Sequence, residues 1–389
     1  MSKRNRTLLA ALCLGTSSLA APSTAFADGH VEVSLSTPAV RDPLRPALVA
    51  VRIENTGDTP VSIMKWDTPF VESGGRLPRS MFHVSDDAGN EVSYRGTWVN
   101  PGRLTMSSFK TIYPGEVLEK EVDLAPEYRF RSNSVYKVKY ILPLDREPDP
   151  DVVSAAERAP FIHPVQSSAA SDVVSISFAE FVSSAKKSLA DDELKCSAQQ
   201  KDTIARARLA MSHRVTAAES FMRASYVGSW EGGDLHYIFK PHPRYTRWFG
   251  SHDNSEPEIY SDGWGLNNNA RVFETMVATV KRALGAEQEF RCGCPGFGPE
   301  TPAHVEVDST FTMYLCEKFF TLPQFDAYGS QVGTMAHEYT HFNAFYPGTS
   351  DYGYGWKLAE KFAKEDREKA VRNADNFEFF ITDTTPYEE

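Results

Sequence analysis

The stretch Gly333–Gly355, GTMAHEYTHFNAFYPGTSDYGYG, decides how the chain is read. It holds His337-Glu338-Tyr339-Thr340-His341, an HExxH pentapeptide. On a helix, residues four apart lie on one face, so His337 and His341 can aim both imidazoles at one metal ion. Glu338 then stands beside that ion, placed to take a proton from a water. An HExxH can arise by chance in a chain with ten histidines, so its surroundings carry the weight.

A catalytic zinc takes three protein ligands and keeps one position open. An HExxHxxGxxH pattern does not continue here, because Ala344 stands at the glycine and Pro347 at the third histidine. Two carboxylates are candidates for the third ligand. Glu360 lies about one helix further on, and Asp351 is nearer, in Gly348-Thr349-Ser350-Asp351-Tyr352-Gly353-Tyr354-Gly355. A turn punctuated by Gly and Pro can fold Asp351 back to the metal.

HExxH followed by GTxDxxYG resembles the signature of the aspzincins, the deuterolysin and peptidyl-Lys metalloendopeptidase family. Gly348, Thr349, Asp351, Tyr354 and Gly355 match the second motif at each fixed position. The similarity extends to Pro243–Gly250 (PRYTRWFG), Cys292-Gly293-Cys294, Thr312–Cys316 (TMYLC) and Asn373–Asn376 (NADN), and so spans the later half of the chain. The resemblance implies that His337, His341 and Asp351 hold one Zn2+ ion and that Glu338 is the catalytic base. It implies that Tyr354 donates to the oxyanion, and that the enzyme is made as a larger precursor.

At the other end, Lys3, Arg4 and Arg6 precede an apolar run from Leu8 to Ala21, and Ala25-Phe26-Ala27 gives a small-x-small cleavage signal. Residues 1–27 read as a secretory signal peptide, so the protein is expected to be secreted. No other run is long and apolar enough to span a bilayer. Forty-one basic against 52 acidic residues give a formal charge of −11, which argues against nucleic acid as a partner. After Cys13 leaves with the signal peptide, Cys196, Cys292, Cys294 and Cys316 remain. Four cysteines in an oxidising compartment imply two disulfides, with three possible connectivities. A Cys292–Cys294 bond would be strained. The resemblance implies Cys196–Cys292 and Cys294–Cys316.

Residues 28–180 have a different texture. Val31, Val33 and Leu35 alternate with polar residues, as do Val49, Val51 and Ile53. Short apolar runs follow at Val61–Ile63, Met81–Val84, Val135–Val138 and Val173–Ile176, separated by Pro, Gly, Asp and Asn clusters. Period-two runs with such turns predict an all-β, immunoglobulin-like sandwich. Such a sandwich is either a pro-domain that restrains the site as an intramolecular inhibitor or a retained binding module, and the resemblance implies the first. Residues 181–195, polar and carrying three lysines, read as a linker with the processing site.

Residues 196–389 predict a mainly helical, zincin-type catalytic domain with a small β-sheet, so the whole chain is expected to be α+β. Helices are expected over Cys196–Ser225, Asn269–Leu284, Ser330–Phe345 and Trp356–Arg372. Val305–Val307 and Phe311–Cys316 read as strands flanking the site, where an extended peptide could be held by backbone hydrogen bonds. Asp375 and Glu378 are three apart and share a helix face. In the lysine-specific branch of the resembled family an Asn-Ala-Asp-Asn segment lines the pocket after the scissile bond. That carries the role to Asp375, with Glu378 beside it, and implies cleavage of protein and peptide substrates on the amino side of lysine. The competing reading is a non-catalytic secreted binding protein with a structural zinc site. That site would need a fourth protein ligand, which the motif does not supply.

Overall fold

The computed structural model describes residues 29–38, 45–71, 76–131, 134–178, 194–231, 234–251, 269–307, 311–342 and 348–385. The expected signal peptide (1–27) and residues 181–193 of the expected linker lie outside the described residues. The chain is a mixed α and β structure with several sheets and helices.

The N-terminal half is built from short strands: β1 (Val31–Ser36), β2 (Leu48–Asn55), β3 (Val61–Met64), β4 (Phe82–Asp86) and β5 (Thr97–Asn100). They continue with β6 (Phe109–Ile112), β7 (Val117–Asp123) and β8 (Ser134–Pro143). After a single turn, α1 (Ala155–Arg158), come β9 (Ser168–Ala170) and β10 (Val174–Phe178). One antiparallel sheet has the order β1-β2-β7 and another β10-β8-β4. β1 alternates buried and exposed along its length, so Val31, Val33 and Leu35 face inward. They share one core with Val49, Val51, Val84, Val138, Tyr140 and Ile176 from the other strands. Period-two patterning therefore does here what it does in any half-buried sheet.

The C-terminal half begins with α2 (Ala198–Ala224), β11 (Tyr226–Glu231), β12 (Asp234–Phe239), α3 (Pro243–Phe249) and α4 (Asn269–Gly285). Ser197 caps α2 in a reciprocal box with Gln200, so the helix starts just past Cys196. Ile204, Ala207, Met211, Val215, Ala218 and Met222 form its buried stripe. β13 (Glu289–Cys292), β14 (Ala303–Glu306) and β15 (Thr312–Leu315) follow, then α5 (Glu317–Thr321), α6 (Gln331–Thr340), α7 (Trp356–Glu365), α8 (Arg367–Ala370) and α9 (Ala374–Thr382). Cys196–Cys292 ties the start of α2 to β13, and Cys294–Cys316 closes the loop across the sheet.

Every residue of α6 and of α9 is buried, and the two helices pack on each other at the centre of this half. α6 is shorter than the sequence suggests, ending at Thr340 rather than Phe345. Thr340 turns its hydroxyl onto the His337 carbonyl, and Thr349 N–H takes the Thr340 carbonyl, so the last turn is closed off. The helix expected to run from Trp356 to Arg372 breaks at Asp366, whose side chain caps the short α8.

The sheet of the C-terminal half has the order β13-β15-β14-β5. Its last member comes from the N-terminal half: β5 pairs antiparallel with β14, Asn100 opposite Ala303 and Thr97 opposite Glu306.

Candidate metal centre

α6 carries His337 and Glu338 in its last full turn, and His341 keeps a helical backbone at the C-cap. The i, i+4 relation is therefore intact although the helix has ended. The turn Gly348–Gly355 brings Asp351 up to both rings. Asp351 Oδ1 lies 3.2 Å from His337 Nε2 and 3.4 Å from His341 Nε2. All three residues are fully buried. These three atoms, and both carboxylate oxygens of Glu338, have no hydrogen-bond partner.

Buried polar atoms without partners are costly unless something else satisfies them. Ligand atoms arranged tetrahedrally at bonds of ~2.05 Å stand about 3.3 Å apart, close to the two spacings seen here. Two imidazole nitrogens and one carboxylate oxygen thus fit a small divalent ion. Glu360, the other candidate ligand, is paired with Arg247 at 2.7 Å.

The opposite ring nitrogens are held. His337 Nδ1 lies 2.7 Å from Asp375 Oδ1, and His341 Nδ1 lies 3.0 Å from the Thr349 carbonyl. An Nδ1–H donating outward leaves each Nε2 lone pair facing the ligand space. Burial opposes charge on His337, but Asp351, Asp375 and Glu378 outweigh it and hold its pKa well above the usual value. Burial drives His341 down to about 4. Asp351 is pulled to about 2, because the two imidazoles overcome the burial that would raise it. Burial lifts Glu338 far above the ordinary carboxylate range.

The loop that delivers Asp351 is fastened at several points. Ser350 N–H donates to the Arg372 carbonyl, Ala374 N–H to the Ser350 carbonyl, and Gly353 N–H to Asn373 Oδ1. Gly355, with φ of +86°, donates its N–H to Asp375 Oδ2 at 2.5 Å. Asp375 thus links a candidate ligand to the end of the loop that supplies another. Glu378 lies 3.6 Å from His337 Nδ1, and burial raises its carboxyl to about 7. A Cβ on Gly333 would lie 2.5 Å from Glu378 Oε1, so glycine leaves room for that carboxylate. Asp375, Glu378, Thr334, Tyr328 and Phe379 line a cavity of about 190 Å³ beside the metal space.

The Tyr354 hydroxyl is buried, 3.1 Å from Asp351 Oδ2 and 3.2 Å from the Val99 carbonyl. Trp98 stacks on His341 with centroids 5.3 Å apart and rings 9° from parallel. Neither Trp98 nor Val99 carries a motif that could have marked it in the sequence. The Asp375–His337 contact could have been sought, since a ligating histidine usually gives its second nitrogen to a carboxylate.

A third group of candidate ligands, Cys294, His304 and Cys316, has both sulfurs committed to the disulfide. Among the described residues no helix is long and apolar enough to cross a membrane.

Residues 240–382 match the family model of the aspzincins, described as "Lysine-specific metallo-endopeptidase". The chain is 27% identical over 351 residues to an "Extracellular protease" of Aeromonas hydrophila, covering 86% of this chain and 88% of that protein. It is 26% identical over 364 residues to a "Peptidyl-Lys metalloendopeptidase" of Grifola frondosa, covering 91% and 93%. The solved "Zinc peptidase from Grifola frondosa" is 29% identical, covers 48% of this chain and 96% of its own, and gives a TM-score of 0.38. The chain is thus a metalloendopeptidase whose residues 240–382 match the aspzincin family model.

Proposed function

We propose that the chain is a secreted endopeptidase that uses one zinc ion held by His337, His341 and Asp351. We also propose that it is made as an inactive proenzyme and cuts on the amino side of lysine. The observation that carries the zinc reading is the convergence of three buried, unpartnered donor atoms beside the two unpartnered oxygens of Glu338. Zinc bound there would polarise the scissile carbonyl and acidify a water. Glu338 takes that water's proton and passes it to the leaving amine. Tyr354, whose hydroxyl meets the Val99 carbonyl and Asp351 Oδ2, would turn from Val99 to donate a hydrogen bond to the developing oxyanion. A purely structural zinc would want a fourth protein ligand, and among the described residues the cluster offers three.

The lysine reading rests on the acidic cavity. Asp375 has both oxygens committed, to His337 and to Gly355, and contributes mainly its charge. Glu378 is the carboxylate with capacity left for an ammonium group. The N-terminal half, residues 28–180, is read as an immunoglobulin-like sandwich that acts as pro-domain. Two sheets over one shared core support the sandwich, and the contacts of Trp98 and Val99 support the restraint.

The test is to strip metal with a chelator, restore zinc, and digest a complex peptide mixture with the processed protein. Hydrolysis should vanish and return, and new amino termini should be rich in lysine. Activity indifferent to the chelator would refute the zinc reading. Termini without lysine enrichment would refute only the specificity.

A further inference from the structure

We propose that residues Thr97–Arg103 are a built-in occupant of the substrate groove, and that the site opens only when this strand is withdrawn. A cut between the two halves is not sufficient. The inference rests on the endopeptidase reading and deepens it.

An open sheet edge beside a catalytic centre binds extended peptides by adding a strand. β14 is that edge, and β5 already lies on it in antiparallel register. Successive residues of such a strand face opposite ways. Val99 N–H bonds to the Pro78 carbonyl, and Val99 C=O meets the Tyr354 hydroxyl, so Val99 faces away from β14. Trp98 and Asn100 therefore turn their amides toward the edge. The Val99 carbonyl thus occupies the hydroxyl that a substrate's carbonyl would need, while Trp98 covers the His341 ring.

The segment then turns into the acidic cavity. Gly102 has φ of +67°, and its N–H is held by Asn100 Oδ1 at 2.7 Å. Asn100, Gly102 and Arg103 line the same cavity as Asp375 and Glu378. Arg103 therefore brings a cation to the place where a substrate lysine would go. It is itself steadied by Asp149 at 2.8 Å and Asp151 at 3.5 Å.

None of these contacts passes through residues 181–193. Other contacts hold the halves together as well: Arg146 donates to the Tyr352 carbonyl at 2.5 Å, and Trp356 donates to Asp151 at 2.9 Å. A chain cut in the linker keeps every one of them.

The experiment uses the full chain with a recognition site for an unrelated protease placed between residues 181 and 195. Hydrolysis of a lysine peptide, co-elution of the two pieces and amide exchange over 303–306 are followed before and after the cut. The expected result is a cut protein whose pieces co-elute and whose 303–306 amides stay protected. Its activity should be at least about tenfold below that of the same sample after the N-terminal piece is digested away. Asn100→Pro removes an amide facing β14, and Arg103→Glu adds a fifth carboxylate beside Asp149, Asp151, Asp375 and Glu378. Either should raise the activity of the cut form about tenfold, and Arg103→Glu serves if the proline variant does not fold. Full activity on cutting, or unprotected 303–306 amides in the intact chain, would overturn the inference and leave the peptidase standing. Absence of activity in every zinc-loaded form would overturn both.

Discussion

Two buried charged clusters face each other across the Tyr352–Tyr354 turn, and they are built on opposite principles. On the N-terminal side, Asp67 pairs with Arg79 at 2.5 Å and with Arg146 at 3.1 Å, all three buried. Each Asp67 oxygen has a partner, and the arginines reach on to the turn: Arg146 to the Tyr352 carbonyl, Arg79 over the Tyr354 ring at 5.7 Å. On the C-terminal side, His337, His341, Asp351 and Glu338 are buried with five polar atoms unpartnered. Satisfied buried charges hold a shape, whereas unsatisfied convergent ones wait for a ligand or a reaction. The difference separates a latch from a candidate metal centre without any motif being consulted.

The largest effect should come from the unsatisfied side. Glu338→Gln removes a buried carboxyl that nothing in the fold requires. Hydrolysis should fall about 10²–10⁴-fold while the metal stays bound and the unfolding temperature stays level or rises. Retained activity, or lost metal, would break the assignment of Glu338 as a group kept for chemistry.

The satisfied side should answer in stability instead. Asp67→Ala leaves two buried guanidiniums without their carboxylate and should cost about 3–5 kcal/mol in urea unfolding. Peptidase activity measured after the N-terminal half has been digested away should be untouched. A loss below about 1 kcal/mol would mean that water reaches the arginines and the latch is not closed.

Asp375→Asn probes the seam between the two principles, since Asp375 is satisfied and yet touches a candidate ligand. Metal affinity should weaken about 10–100-fold, read by competition with a chelator, because His337 loses the acceptor that orients its ring. Unchanged affinity would confine Asp375 to the acidic cavity.

Legibility from the sequence follows the same division. HExxH pointed to His337 and His341 because their spacing is one helical turn, whereas Asp351 rather than Glu360 was singled out by the resemblance that GTxDxxYG carries. Strand patterning was visible at Val31–Leu35 and Val49–Ile53, neighbouring strands of one sheet whose buried and less buried positions alternate. β5 was not visible. Thr97–Asn100 is buried at all four positions, so no alternation marks it, and its partner strand lies some two hundred residues away. The break at Asp366 was missed because an aspartate inside a helical pattern is readable as exposed surface as easily as a cap. The Asp67 latch joins residues 12 and 79 apart, which no local period encodes.

His304 offers the smallest effect and limits the rule. Its Nδ1 is buried without a partner, as at the metal centre, yet its ring lies stacked on Tyr314 at 4.5 Å and beside Phe297 at 4.3 Å. Burial, with help from Arg76, holds its pKa down at about 3, so it stays neutral and waits for nothing. A histidine whose folded pKa is depressed binds fewer protons folded than unfolded. Its contribution is therefore complete above the unfolded value of 6.5 and is lost as pH falls toward about 3. His304→Phe keeps the stacking and removes the titration. Relative to the parent it should gain about 1 kcal/mol on going from pH 8 to pH 6, and more below that. Urea unfolding of both proteins at the two values measures the difference directly. If the two lose stability in parallel, His304 is protonated in the fold. An unpartnered buried nitrogen there would then have to be counted as a site in its own right.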